Sequence, residues 1–167
     1  MRLVHYTDKP VGRLEVIPQR RGTERDYFKP KGFWVSDDDC EDNWKAWCES
    51  ETFSLERLAL AYDVELARNA NVLLLSSAKD IDAFTDEYFT EPYPYLRKFR
   101  SRMYIDWEKV RSRYLGMIVT PYIWERRLSL EPGAPDAMWY YSWDCASGCI
   151  WDPAAIASMT LHTEEMA

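Results

Sequence analysis

Apolar and polar positions alternate with a period of two between residues 58 and 66. Leu58, Leu60, Tyr62, Val64 and Leu66 fall on one side, and Ala59, Ala61, Asp63 and Glu65 on the other. Successive side chains of an extended backbone point to opposite faces, so this spacing predicts a half-buried strand. Asn69, Ala70 and Asn71 supply a turn, and the apolar run at 72–75 predicts a second strand. The period then changes. Ile81, Phe84 and Tyr88 recur at helical spacing behind Ser77, with Asp80 three residues after it, which predicts a capped helix over 78–88.

The same tests carry over the rest of the chain. His5 sits in an opening strand and residues 10–12 form a turn, whereas 14–17 fit a short strand or a helix equally well. Residues 19–31, rich in charge and broken by Gly and Pro, read as a loop leading into a strand with Phe33, Trp34 and Val35. The acids Asp37, Asp38 and Asp39 are expected to cap a helix carrying Trp44, Trp47 and Cys48. Asp106 caps another, with Trp107, Val110 and Tyr114 on one face and Leu115 and Gly116 closing it. Residues 117–120 make a buried strand stopped by Pro121, 123–130 a helix and 131–135 a loop. Strands are expected at 138–141, 149–151 and 156–162. No repeat or linker interrupts the series, so it reads as one α+β domain over 1–167.

Composition narrows the partners. A net charge of −7 opposes nonspecific attraction to phosphate backbones and favours small molecules or basic protein surfaces. The one basic, aromatic stretch, residues 96–104, has the interleaving that binds single-stranded nucleic acid, a partner the overall charge disfavours. The 8 Trp and 11 Tyr bring large apolar bodies with polar tips, as expected of a concave surface. The first residues hold no apolar run of signal-peptide length and no stretch is long enough to cross a bilayer, so a soluble, cytoplasmic protein without membrane contact is expected. A domain of this size needs no disulfide staples, so Cys40, Cys48, Cys145 and Cys149 are expected as free thiols, and without paired Cys-x-x-Cys spacing no metal site is expected.

Three short pieces resemble the ADP-ribosyltransferase fold, a split-sheet α+β family that uses NAD. The first is His5 followed by Tyr6 and Thr7, similar to a first-strand histidine followed by a small or hydroxyl residue. The second is Gly32, Phe33, Trp34, Val35 and Ser36, similar to a Gly-x-aromatic-aromatic-small strand. The third runs from Ser147 through Gly148, Cys149, Ile150 and Trp151 to Asp152, Pro153 and Ile156, similar to the closing segment of that family. The step from Tyr114 into residues 115–119 is like the helix-to-strand passage that precedes it.

The resemblance implies twisted, mostly antiparallel split sheets with helices at their edges, and NAD as substrate. It implies that His5 bonds a ribose hydroxyl, that the backbone at Tyr6 and Thr7 holds the nicotinamide amide, and that Trp34 stacks on the nicotinamide, with Gly32 and Ser36 beside it. His5 and Trp34 are then expected in one cleft. The chain departs from the pattern at Ser147, where a glutamate is common; serine supplies hydrogen bonds but no charge for the transition state. Asp144, or Glu125, is the candidate replacement. The implied function is transfer of ADP-ribose from NAD to a macromolecule or to water. Beside it stand a catalytically silent relative that holds a nucleotide or blocks a protein partner, in the manner of small acidic phage-encoded proteins, and a nucleic-acid-binding or -modifying protein.

Overall fold

The computed structural model describes residues 1–20, 22–93, 102–127 and 137–162. The loop expected at 131–135, the end of the helix expected at 123–130 and residues 96–101 of the basic, aromatic stretch lie outside them. Seven strands form one curled mixed sheet: β1 (Leu3–Thr7), β2 (Phe33–Asp37), β3 (Leu60–Leu66), β4 (Val72–Leu75), β5 (Gly116–Val119), β6 (Ser147–Ile150) and β7 (Ile156–Leu161). Among the described residues five helices accompany them: α1 (Arg25–Phe28), α2 (Trp44–Glu51), α3 (Ala78–Tyr88), α4 (Trp107–Arg111) and α5 (Trp124–Arg127). The chain is thus a single α+β domain.

The sheet order is β4-β5-β6-β2-β1-β3-β7, antiparallel everywhere except between β4 and β5. The joint between β2 and β1 is short. Only Leu3↔Asp37 and Val4↔Ser36 are paired across it, while β1 stays paired to β3 as far as Thr7 and β2 to β6 back to Phe33. The sheet therefore opens between the ends of β1 and β2, leaving β4-β5-β6-β2 on one side of the gap and β1-β3-β7 on the other.

The two faces are packed unequally. Along β5, Met117 and Val119 enter the larger core with α3, α4 and the 3₁₀ turn Met138–Ser142, while Ile118 points to a smaller cluster with Leu3, Val35 and Val64. All four residues of β5 are buried, which is why its sequence is a continuous apolar run rather than an alternation. Helix α3 begins where its cap predicts: Ser77 accepts from the Asp80 amide, and Ile81, Phe84, Thr85 and Tyr88 are buried.

Four expectations are corrected. Residues 138–141 are not a strand. In a strand Trp139 and Tyr141 would share a face; instead Trp139, Tyr140 and Trp143 are all buried in one cluster while Tyr141 is 52% exposed, which only a tight helical turn permits. The turn is pinned by Trp139 Nε1 donating to Thr85 Oγ1 at 2.7 Å and by Tyr140 Oη accepting from the Ile123 amide at 2.9 Å. Helix α2 is capped by Asn43, which accepts from the Ala46 amide, and not by the acids before it, because Asp37 completes β2. Gly116 closes no helix; α4 ends at Arg111 and Gly116 opens β5 against Ile150. Residues 14–17 form neither strand nor helix, and are tied to β6's end by the Ile17 amide donating to the Trp151 carbonyl at 2.8 Å.

Candidate functional site

The gap between β1 and β2 continues into a cavity of about 440 Å³. His5, Tyr6, Gly32, Trp34, Ser36, Asp144 and Ser147 all line it, although they come from three strands and the loops before β2 and β6. Thr7 does not; its hydroxyl is turned onto Lys9, donating to that carbonyl and accepting from that amide. Glu125 lies on α5, away from the cavity wall.

Strand alternation decides how these groups meet. Val4 stands opposite Ser36, so Val4, Tyr6, Trp34 and Ser36 share one face, joined by Ser147 through its pairing with Ser36. Leu3, His5 and Thr7 share the other with Phe33 and Val35. The imidazole of His5 and the indole of Trp34 therefore reach the cavity from opposite faces and do not face one another. His5 instead stacks on Phe33, with ring centroids 4.0 Å apart, and the side chain of β1 that shares Trp34's face is Tyr6.

What joins His5 to Trp34 is the backbone. The next rung of the ladder would have used the Trp34 carbonyl; with the strands parted, His5 Nδ1 donates to it at 2.6 Å. A carbonyl can only accept, so the neutral ring carries its proton on Nδ1 and leaves Nε2 as an acceptor. Burial pushes the His5 pKa below its ordinary value, outweighing the carbonyl's pull in the other direction, so the ring is neutral near pH 7.

A polar chain holds the helix side of the gap. Tyr6 Oη donates to Asp38 Oδ2 at 2.6 Å, Ser36 Oγ donates to Asp38 Oδ1 at 2.8 Å, and Ser36 Oγ accepts from the Trp44 amide at 3.0 Å. Asp38 thus ties the end of β1 to β2 and to the start of α2. Burial, and then the bond to Asp38, raise the Tyr6 pKa well above its usual value, so its hydroxyl stays protonated. Ser147, 7% exposed, donates to the Cys145 carbonyl at 3.0 Å. Cys145 also lines the cavity, but burial pushes its thiol up to about 12, which leaves it un-ionised and a poor nucleophile.

Charge enters from residues that sequence patterning did not single out. Lys29 Nζ lies 3.3 Å from Asp144 Oδ2 and 5.4 Å from the centre of the Trp34 ring. Arg57, in the 3₁₀ turn Leu55–Leu58 before β3, also borders the cavity, and its side chain has no ion pair among the described residues. Trp44 and Phe33 complete the aromatic wall. Lys29 opens the Lys-Pro-Lys-Gly run ahead of β2, so its position beside Trp34 was available in the sequence. Arg57's was not, because only the tertiary fold brings it there. Among the described residues the cavity thus combines two cations, one carboxylate, several aromatic faces and a histidine nitrogen able to accept, a set suited to a planar, anionic ligand bearing hydroxyls.

All four cysteines are free. Among the described residues no group of three or more His, Cys, Asp and Glu side chains is placed to hold a metal ion, and no helix is long and apolar enough to cross a membrane. No family model, curated protein or solved structure matches the chain.

Proposed function

We propose that this cavity binds NAD and that the chain is an ADP-ribosyltransferase-like protein, passing ADP-ribose to a macromolecular acceptor or to water. The observation that carries the reading is the parting of β1 from β2 after two rungs, which opens a cavity lined by seven of the nine residues that the sequence resemblance singles out for nucleotide chemistry, Thr7 and Glu125 being the exceptions. Its volume lies within the usual range for small-molecule sites, about 300–1,000 Å³.

In this reading His5 Nε2 accepts a hydrogen bond from a ribose hydroxyl, Trp34 offers a face to the nicotinamide, and Lys29 and Arg57 meet the pyrophosphate charges. The C1′–N bond breaks with its electron pair leaving on neutral nicotinamide. The ribosyl cation takes a lone pair from the acceptor hydroxyl or amine, and the acceptor's proton passes to solvent. Asp144 is the carboxylate that stabilises the positive charge as it grows. Ser147 supplies polarity only.

The Lys29–Asp144 pair supports a second reading, a nucleotide-binding protein without turnover. An ammonium at 3.3 Å offsets the carboxylate's charge unless a bound pyrophosphate draws Lys29 away. Incubation with NAD separates the two readings: nicotinamide release marks an enzyme, and quenching of tryptophan fluorescence without release marks a binding protein. Neither release nor quenching would dismiss both.

A further inference from the structure

Nearly all of the chain's net charge lies in one segment. Residues 37–57 hold eight carboxylates and two cations, a net of −6 in a chain whose net is −7. Some of these acids are engaged inside the protein. Asp37 is buried and accepts from Thr120 Oγ1 at 2.5 Å, Asp38 holds Tyr6 and Ser36, and Asp42 accepts from Trp124 Nε1 at 2.7 Å. Glu41, Glu49, Glu51 and Glu56 are exposed and have no ion pair among the described residues.

Within this acidic surface lies an aromatic shelf. Trp44 and Trp47 stack with centroids 5.1 Å apart and planes at 17°. Phe53 stands edge-on to both, at 6.2 and 5.2 Å, yet is 48% exposed, and Leu55 beside it is 45% exposed. Phe53 is held there by an uncommon backbone. Thr52, which ends α2 by donating its amide to the Cys48 carbonyl, and Ser54 both adopt left-handed conformations, with φ of 53° and 47°. Side chains rarely take that conformation, least of all a β-branched one, and it tends to persist where a particular presentation is needed. The shelf adjoins the cavity, since Trp44 lines it and Arg57 stands at its edge.

We propose that α2 and the turn after it form a docking surface for a cationic, arginine-rich protein segment, brought in beside the cavity mouth. Charge complementarity selects the occupant. A guanidinium stacks on an indole face and pairs with carboxylates in the same plane, so the rings of Trp44, Trp47 and Phe53, with exposed Glu51 on the same face of α2 as the two tryptophans and exposed Glu49 and Glu56 in the same acidic segment, match its chemistry on both counts. A nucleic-acid strand could use the same rings for stacking, but its phosphates would meet those glutamates. The proposal does not depend on what the cavity holds. If the cavity holds NAD, such a segment is the acceptor in position to receive ADP-ribose.

The test is a titration of three fluorescent probes at low and high salt: a peptide of alternating Arg and Gly, one of alternating Glu and Gly, and an oligothymidine. Selective, salt-sensitive binding of the Arg peptide is expected. It should weaken by about tenfold or more in a Glu49→Gln, Glu51→Gln, Glu56→Gln variant, which keeps side-chain size, and separately in Phe53→Ala. Absence of Arg-peptide binding, equal binding by the glutamine variant, or tighter binding of oligothymidine would overturn the proposal. NAD binding, measured on the same samples, reports on the cavity independently.

Discussion

His5 donates from Nδ1 to the carbonyl oxygen of Trp34 at 2.6 Å, across the point where β1 and β2 stop pairing. One side chain thereby satisfies a backbone acceptor that the parted ladder would have left open, fixes its own tautomer and leaves Nε2 as an acceptor. A buried carbonyl without a donor is costly, so the bond helps to keep the gap open at little expense in stability.

That role has a pH signature. The folded pKa of His5 is lowered, so at acidic pH the unfolded chain takes up this proton more readily than the native one. The contribution to stability is full above the ordinary imidazole pKa of about 6.5 and is lost as pH falls below it toward the folded value. Urea unfolding about one unit above and one unit below that pKa should show wild type losing more stability than His5→Gln, which has no proton to gain. Equal losses would remove His5 from this role.

Gly32 sets the approach of β2 to β6. A Cβ there would meet Cys149 Sγ and the Ile150 carbonyl oxygen, each at 2.6 Å, and the second is backbone that cannot turn aside. Gly32→Ala should therefore lower unfolding free energy by about 1–3 kcal/mol, as overpacking of a filled site does. Denaturant titration with an unchanged m-value would show it, and a midpoint equal to wild type would contradict the close approach.

Among the described residues Asp144 is the one carboxylate lining the cavity. If it stabilises the ribosyl cation, Asp144→Asn should lower nicotinamide release by about a hundredfold or more while NAD affinity changes little, because the amide keeps shape and hydrogen bonding. Unchanged turnover would clear Asp144 of that role.

Local pattern made much of the fold legible. The helix at 78–88 and the strand at 72–75 match the structure, because each is decided by its own spacing and, for the helix, by the Ser77 cap. The turn at 69–71 makes β3 and β4 read as a pair, but they are not neighbours: β4 pairs with β5 at the far side of the sheet, a crossover no local period encodes. Residues 138–141 look like a strand because aromatic side chains favour strands, and burying Trp139, Tyr140 and Trp143 together overrode that preference. At the site, the convergence of His5, Trp34, Ser36 and Ser147 follows from strands that do pair as neighbours. Their facing was missed because it depends on register, and one rung sends His5 to Phe33's side and Trp34 to Tyr6's.

Amide hydrogen exchange with and without NAD tests most directly whether the gap between β1 and β2 is the nucleotide site. Added NAD should slow exchange in the segments 4–7, 33–36 and 144–147, which border the cavity, and leave β4 and β7 unchanged. Protection confined to other segments, or none at NAD concentrations well above millimolar, would contradict it.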